Sequence, residues 1–350
     1  MRFETRQVNI RDIAIGANNP IAIQSMTNVP VTDIDGTLRQ IEQCKNAGCD
    51  IMRIAIPDMR SVDAFRDVRK QTDMPLVADI HFDYRLALSA IEAGADKIRI
   101  NPGNIPLNQL DKIVDCAKEH AVPIRIGVNS GSVNKDVLSK ADGDKCRALA
   151  HSLEQYVRYF EERNFTDLVL SVKSTDVRET VDTNRIIARR GYPVHLGVTE
   201  AGLYSQGLVK NSIGIGTLLL EGIGDTVRVS LTSNPVDEVY AAKDILTSLG
   251  LRQGVTFVSC PKCGRCSVEL ESIAQEIYDY VKNIPLNVKI AVMGCEVNGP
   301  GECSDADLGI AGANGKFVFF KHGKRYKTVD QTEAISEFKK EIDLLTNDNR

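Results

Sequence analysis

The run S-C-P-K-C-G-R-C (259–266) sets Cys260 and Cys263 at C-x2-C spacing on a turn opened by Pro261 and Gly264, which lets two thiolates grip one metal centre. A third thiolate is offered twice: Cys266 would extend the run to a ferredoxin-like C-x2-C-x2-C, and Cys295 would join from further along the chain. C-x2-C alone suits structural zinc and an iron–sulfur centre equally. The later run G-C-E-V-N-G-P-G-E-C (294–303) favours iron and sulfur, because Asn298, Glu302 and the backbone amides of its glycine-rich turn can approach a bound cluster. A zinc knuckle would more simply have a second C-x2-C. Cys44, Cys49, Cys116 and Cys146 fall on helix-like stretches and read as small packed residues.

A second constellation is cationic. Side chains alternate along a strand, so D-K-I-R-I-N (96–101) splits into Lys97, Arg99 and Asn101 against Ile98 and Ile100. P-I-R-I-G-V-N (123–129) sets Arg125, Gly127 and Asn129 against Ile124, Ile126 and Val128, and T-V-R-V-S-L-T (226–232) sets Arg228, Ser230 and Thr232 against Val227, Val229 and Leu231. If the apolar parity lies under helices, the polar one faces inward, where Arg53, Asp79, His81, Lys173 and Glu200 join it from other strand ends. A single arginine at a strand end is as often a structural salt-bridge partner. Five converging cations with few acids repel one another, and the arrangement makes sense when a multiply charged anion neutralises them. Arginine forks match phosphate oxygens, so the expected ligand is a diphosphate. His81 and Glu200 are the titratable groups that could do proton work in such a mouth, although each taken alone more often serves as an ordinary hydrogen-bonding side chain; His120, His151 and His322 sit in helix or hairpin contexts without chemistry.

These side chains need a frame. Eight strand-like segments, at 21–26, 50–56, 75–82, 96–101, 123–129, 167–173, 193–200 and 226–232, are each followed by an amphipathic stretch. Connectors such as T-L-R-Q-I-E-Q-C-K-N-A-G and R-L-A-L-S-A-I-E-A-G end in glycine, as a helix C-cap does. Eight such units predict an α/β fold, an N-terminal (β/α)8 TIM barrel whose strand C-termini carry the site. A doubly wound sheet would want G-x-G-x-x-G after its first strand, and there is none; G-I-G-T-L-L-L-E-G-I-G (214–224) comes late and reads as a helix-flanking loop. Residues 251–254 form a short polar joint, placing a barrel domain at 1–250 and a smaller α+β iron–sulfur domain at 251–350. The latter is expected to hold strands at 255–260 and 287–295, helices at 268–284 and 332–345, and a hairpin turning at Asn314-Gly315.

Among 350 residues, 43 basic and 47 acidic side chains give a net charge of -4, with no basic tract to neutralise a run of phosphates, so nucleic acid is not an expected partner. No apolar run is long enough to span a membrane, and M-R-F-E-T-R-Q-V-N-I lacks the core of a signal peptide. The expectation is a cytoplasmic protein whose nine cysteines are ligands, nucleophiles or packed residues rather than disulfides.

Q-S-M-T-N (24–28), A-D-I-H-F (78–82), D-K-I-R-I-N-P-G-N-I (96–105), P-I-R-I-G-V-N-S-G-S (123–132), S-V-K-S-T-D-V (171–177), H-L-G-V-T-E-A-G (195–202), G-I-G-D-T-V-R-V-S-L-T (222–232), S-C-P-K-C-G-R-C (259–266) and M-G-C-E-V-N-G-P-G-E (293–302) together resemble the 4-hydroxy-3-methylbut-2-enyl diphosphate synthases of the non-mevalonate isoprenoid pathway, in their two-domain bacterial form. The resemblance runs from near the start to residue 302 and thins beyond it. It implies reductive ring opening: 2-C-methyl-D-erythritol 2,4-cyclodiphosphate takes two electrons from flavodoxin or ferredoxin, loses water and becomes the linear allylic diphosphate. It further implies a [4Fe-4S] cluster on Cys260, Cys263, Cys295 and Glu302. Substrate contacts would come from Arg53, Arg99, Arg125, Asn129, Lys173, Arg228, Ser230 and Asn298, with Asp79, His81 and Glu200 nearby. A head-to-tail homodimer, the cluster domain of one subunit capping the barrel of the other, is implied as well. Cys303 departs from the family, where a small residue is common, and with Cys266 it leaves ligand exchange or a four-cysteine cluster open. The competing reading is a redox-neutral barrel lyase or isomerase of a phosphorylated substrate with a structural zinc site; a non-catalytic iron–sulfur carrier would have no use for a polyanion pocket.

Overall fold

Strands followed by helices that begin on aspartate set the rhythm of the first part of the chain. A computed structural model describes residues 2–129, 141, 143–284 and 286–348, and the chain divides into two compact units, Met1–Ile245 and Leu246–Arg350. The division falls inside the helix Pro235–Ser248.

In the first unit the parallel strands are β3 (Ala22–Met26), β4 (Ile51–Ala55), β5 (Leu76–Ile80), β6 (Lys97–Ile100), β7 (Ile124–Asn129), β8 (Leu168–Lys173), β9 (His195–Leu196) and β10 (Thr226–Val227). They pair in the order β8-β7-β6-β5-β4-β3-β10-β9, and a bridge from Leu170 to Val194 joins the two ends into a closed barrel. Asp33, Asp58, Asp83, Asp144 and Asp176 cap the helices that follow five strands, each accepting a backbone N–H of the first turn that would otherwise go unpaired. Gly48 ends the first helix in the left-handed conformation, at φ +102°, as its position in the sequence implied.

Three features depart from the sequence reading. β9 and β10 are only two residues long, because the ladder is taken over by a side chain: Asn211 accepts the Val198 N–H at 3.2 Å and donates to the Ser230 carbonyl at 3.2 Å. Residues 214–220 are not a loop but the end of the helix Tyr204–Leu220. A Cβ on Gly214 would lie 2.8 Å from Val198, so the glycine serves close packing of this helix on the barrel and not a turn. A hairpin of β1 (Val8–Ile10) and β2 (Ile13–Ile15) precedes the barrel, and Val8, Ile10 and Ile15 pack with Ala22, Ile51, Val77 and Val169 into an apolar floor at the strands' N-terminal ends.

The second unit is a five-stranded sheet ordered β11 (Val255–Ser259), β12 (Val288–Met293), β13 (Leu308–Ala313), β14 (Lys316–Lys321) and β15 (Lys324–Asp330). The first three run parallel and the last two antiparallel. Asn314 and Gly315 turn the expected hairpin with φ of +48° and +75°; His322 and Gly323 repeat the device at +46° and +77°, producing the unanticipated β15. Helices Leu270–Val281 and Gln331–Asp348 cover one face, packing Ile273, Ile277, Phe338 and Ile342 against Ile290, Ile310, Phe317 and Phe319. Among the described residues no helix is long and apolar enough to cross a membrane.

Candidate active site

Ladder register sets the inward layers of the barrel. Val77 stands opposite Lys97, Asp79 opposite Arg99, Arg99 opposite Arg125, and Gly127 opposite Ser171, so the polar parity of neighbouring strands meets in the interior. Above the apolar floor lie Gln24, Lys97 and His195, all buried, with Lys97 Nζ 3.4 Å from Gln24 Oε1 and His195 Nδ1 2.7 Å from Thr226 Oγ1. Above these opens a cavity of about 160 Å³ at the C-terminal ends of the strands, lined by Arg53, Arg99, Arg125, Lys173 and Arg228 with Asp79, His81 and Ser230. Met26, Gly127, Ser171 and Thr199 complete it; Met26 and Ser171 share the inward parity of Gln24 and Lys173 and were legible by the same alternation.

Asp79 is the hub of one side. Its Oδ1 lies 3.2 Å from Arg99 Nη1 and its Oδ2 lies 3.7 Å from Arg53 Nε and 3.6 Å from His81 Nε2, while Arg99 Nη1 also reaches His81 Nε2 at 3.1 Å. Burial alone would raise the Asp79 carboxyl, but Arg53, the nearby His81, Arg99 and Arg125 outweigh it and hold it well below the usual carboxylate range. Asp79 is thus a fixed negative charge rather than a proton donor. On the other side Glu238, in the first turn of Pro235–Ser248, accepts from Arg228 Nη2 at 3.1 Å. Sequence reasoning missed Glu238 because an acid at a helix start ordinarily faces solvent.

These two acids do not balance the cations. Burial first, then Arg53 and Arg99, push Arg125 well below its ordinary value, and burial with Arg125 and Arg228 does the same to Lys173. Arg53 comes down to about 10, from burial opposed by Asp79 and reinforced by Arg228 and Arg99. Arg99 Nε, Arg125 Nε and Nη1, and Arg228 Nε are buried without a partner among the described residues. Orphaned guanidinium donors around one small cavity call for an anion with several oxygens. Glycines make the room: a Cβ on Gly127 would lie 2.9 Å from Arg99 Nε, and one on Gly197 2.7 Å from Lys173 Nζ.

Two expected residues stand apart from this group. Glu200 follows Thr199 on a turn at φ +50°, exposed and outside the cavity lining. Asn129 closes β7 opposite Lys173, and its side chain lies outside the described ones.

In the second unit Cys260 and Cys295 follow the C-terminal ends of the adjacent parallel strands β11 and β12. Gly294 donates its N–H to Cys260 Sγ at 3.3 Å, and a Cβ there would lie 2.6 Å from Cys266 Sγ. The N–H groups of Asn298 and Val297, and then Arg265, pull the Cys295 thiol below its ordinary value despite burial, which favours a thiolate. Cys263 and Glu302 are exposed, and Asn298 begins the short helix Gly299–Ser304. Among the described residues no three of the cysteine, histidine and acidic side chains stand close enough together to hold a metal ion. What the unit does assemble is a glycine cradle, an amide donor to sulfur and a thiol disposed to ionise, which suit a thiolate-held iron–sulfur group. Cys49 lies just past its helix, and Cys44 and Cys49 are buried, with the Cys44 thiol pushed up to about 12 by burial and Glu238.

A model of the GcpE TIM-barrel domain matches residues 5–243, and one of the GcpE protein C-terminal domain matches residues 256–344. The 4-hydroxy-3-methylbut-2-en-1-yl diphosphate synthase (flavodoxin) of Geobacillus thermodenitrificans is 47% identical, covering 99% of this chain and 94% of its own. The proteins of that name from Caldanaerobacter subterraneus subsp. tengcongensis and Clostridium acetobutylicum are each 47% identical as well, covering 99% and 98% of this chain and 99% of their own. Among solved structures, dihydropteroate synthase from Xanthomonas albilineans superimposes with a TM-score of 0.52 at 16% identity, over 70% of this chain and 98% of that one. That likeness concerns the barrel fold alone.

Proposed function

The chain belongs to the GcpE family, the 4-hydroxy-3-methylbut-2-en-1-yl diphosphate synthases, and from that membership and its cationic barrel mouth we propose how its residues divide the work. It is an oxidoreductase of isoprenoid precursor biosynthesis, converting 2-C-methyl-D-erythritol 2,4-cyclodiphosphate to (E)-4-hydroxy-3-methylbut-2-enyl diphosphate.

Arg53, Arg99, Arg125, Lys173 and Arg228, with Ser230 and Asn129, bind the diphosphate. Opening the ring breaks a carbon–oxygen bond and turns a bridging oxygen into a terminal phosphate oxygen, so negative charge grows on the diphosphate as the reaction proceeds. Cations fixed in a buried mouth stabilise that growing charge more than the starting one, which is how binding residues also lower the barrier. Asp79 holds Arg53 and Arg99 in place, and His81, beside Asp79 and Arg99, is the group best placed to pass the proton that the departing water requires. Glu200 stands at the rim as a second proton-handling candidate.

Cys260, Cys263 and Cys295 with Glu302 would hold a [4Fe-4S] cluster, Asn298 lying beside it, and the cluster would supply the two electrons, received from flavodoxin as the relatives' name specifies or from ferredoxin. The functional unit is a head-to-tail homodimer in the cytoplasm, the 251–350 domain of one chain serving the 1–250 barrel of the other. Apolar side chains left exposed at the loops opening the barrel helices support it, Phe82 at 72% and Leu203 at 68%, as does Val297 at 61% beside Cys295. Neither nucleic acid nor membrane enters this reading.

The observation that carries the reading is the cluster of orphaned guanidinium donors around one cavity. Anaerobic turnover of the cyclodiphosphate with a low-potential reductant should yield the linear allylic diphosphate from protein containing iron and sulfide. Zinc without iron, together with no turnover, would return the site to a redox-neutral lyase or isomerase.

A further inference from the structure

Arg53 and Arg99 share Asp79, but Arg228 takes its support from elsewhere. Its Nη2 donates to Glu238 Oε1 at 3.1 Å, and the same oxygen accepts the Leu231 N–H at 3.0 Å. Glu238 Oε2 accepts from Ser25 Oγ at 3.0 Å. Glu238 is only 4% exposed, and its three donors come from β3, from Arg228 just past β10 and from the segment beyond it. A buried carboxylate held at both oxygens by groups on different strands cannot swing, and a guanidinium tied to it at one nitrogen inherits that rigidity. Arg228 is left with its Nε buried and unpartnered at the wall of the cavity it lines.

We propose that Glu238 is a positioning residue for the reaction: it aims Arg228 at the diphosphate, clamping the guanidinium between its own segment just past β10 and the neighbouring strand that carries Ser25. The inference rests on the reading of Arg228 as a diphosphate ligand. It differs from the simplest electrostatic view, in which Glu238 merely cancels one positive charge. A counter-charge opposes an anionic substrate, so removing it would tighten binding; a clamp favours the substrate's geometry, so removing it weakens binding.

The test is calorimetric titration of the cyclodiphosphate into the anaerobic holoenzyme without reductant, so that no turnover occurs. Glu238→Gln, which keeps the shape and loses the charged grip, should bind roughly tenfold more weakly. In an Arg228→Ala background the same change should add less than about a twofold loss, because the residue acts through Arg228. Ser25→Ala, which removes one support and leaves the carboxylate, should give a smaller loss of the same sign, and it decides the matter if Glu238→Gln does not fold. Unchanged or tighter binding in Glu238→Gln overturns the proposal, as does a loss that persists in full without Arg228, which would mark a general structural role. An unchanged affinity in Ser25→Ala when Glu238→Gln does not fold overturns it too. Arg228→Ala that binds normally would instead strike down the reading of Arg228 itself, and the proposal with it.

Discussion

Glu302 and Cys303 are adjacent in the short helix Gly299–Ser304 and meet opposite surroundings. Cys303 is buried among Ala291, Met293, Ala306 and Ala311, where burial and then Glu302 push its thiol up to about 12; Glu302 is exposed. A thiol kept protonated in an apolar pocket is a poor iron ligand, and an exposed carboxylate is a weakly held, exchangeable one. Cys303→Ser should therefore keep its iron and sulfide, losing about 1–3 kcal/mol of stability for an unpaired buried hydroxyl, as thermal denaturation would record. Glu302→Ala should keep most of its iron and lose turnover. Loss of the cluster from Cys303→Ser with normal turnover in Glu302→Ala would establish an all-cysteine site. At Arg125 and Lys173 burial, and then the neighbouring cations, hold the groups well below their ordinary pKa values. A lysine depressed in the fold and ordinary when unfolded binds fewer protons folded, so the ligand-free protein should gain stability as pH rises through the depressed value toward about 10.4. Diphosphate restores the counter-charge, so its binding should take up protons, visible as a dependence of binding heat on buffer ionisation. Proton release on binding would contradict this account. Removing either cation should weaken binding by about 1.5–3 kcal/mol while leaving the cluster's spectrum unchanged.

Among the elements, one of the two shortest barrel strands ends on a tight constraint. A Cβ on Gly197, just past β9, would overlap the Arg228 carbonyl oxygen and crowd Lys173 Nζ. Since a carbonyl within the barrel wall yields less readily than a side-chain end, Gly197→Ala should cost about 1–3 kcal/mol by thermal denaturation and raise KM together. Gly127→Ala meets the Arg99 side chain first, so its loss should fall mainly on binding. A Gly197→Ala protein of wild-type stability and KM would show that the wall is softer than argued. How far such elements were legible follows from what made them. Arg99, Arg125 and Arg228 could be placed because period-two alternation is set by the backbone and survives any packing detail. The extent of β9 and β10 could not, since Asn211 replaces their ladder from a distant helix. Glu238 was invisible for a similar reason: its partners are Ser25, Arg228 and Leu231, and only barrel closure brings the first to the other two. Residues 214–220 misled because glycine marks both turns and close packing, and the strand beneath Gly214 lies elsewhere in sequence.

On the proposed reading the two halves of the reaction fall on two compact units, the cations in Met1–Ile245 and the cysteines of 260–303 in Leu246–Arg350. If subunits complete one another head to tail, an Arg228→Ala chain mixed with a Cys295→Ser chain should recover activity, because one site of each hybrid keeps both halves. Parents that exchange subunits freely and recover nothing would place the site within one chain. The hairpin at the head of the chain imposes a further rule. Among the described residues Val8, Ile10 and Ile15 cork the barrel from beneath with hydrocarbon, which closes that end of the chamber. Above that floor reactant and product must queue for the same arginines at the mouth. Added linear diphosphate should thus compete with the cyclic one, raising KM without lowering kcat; a noncompetitive pattern would mean that the linear diphosphate binds away from these arginines or to another form of the enzyme.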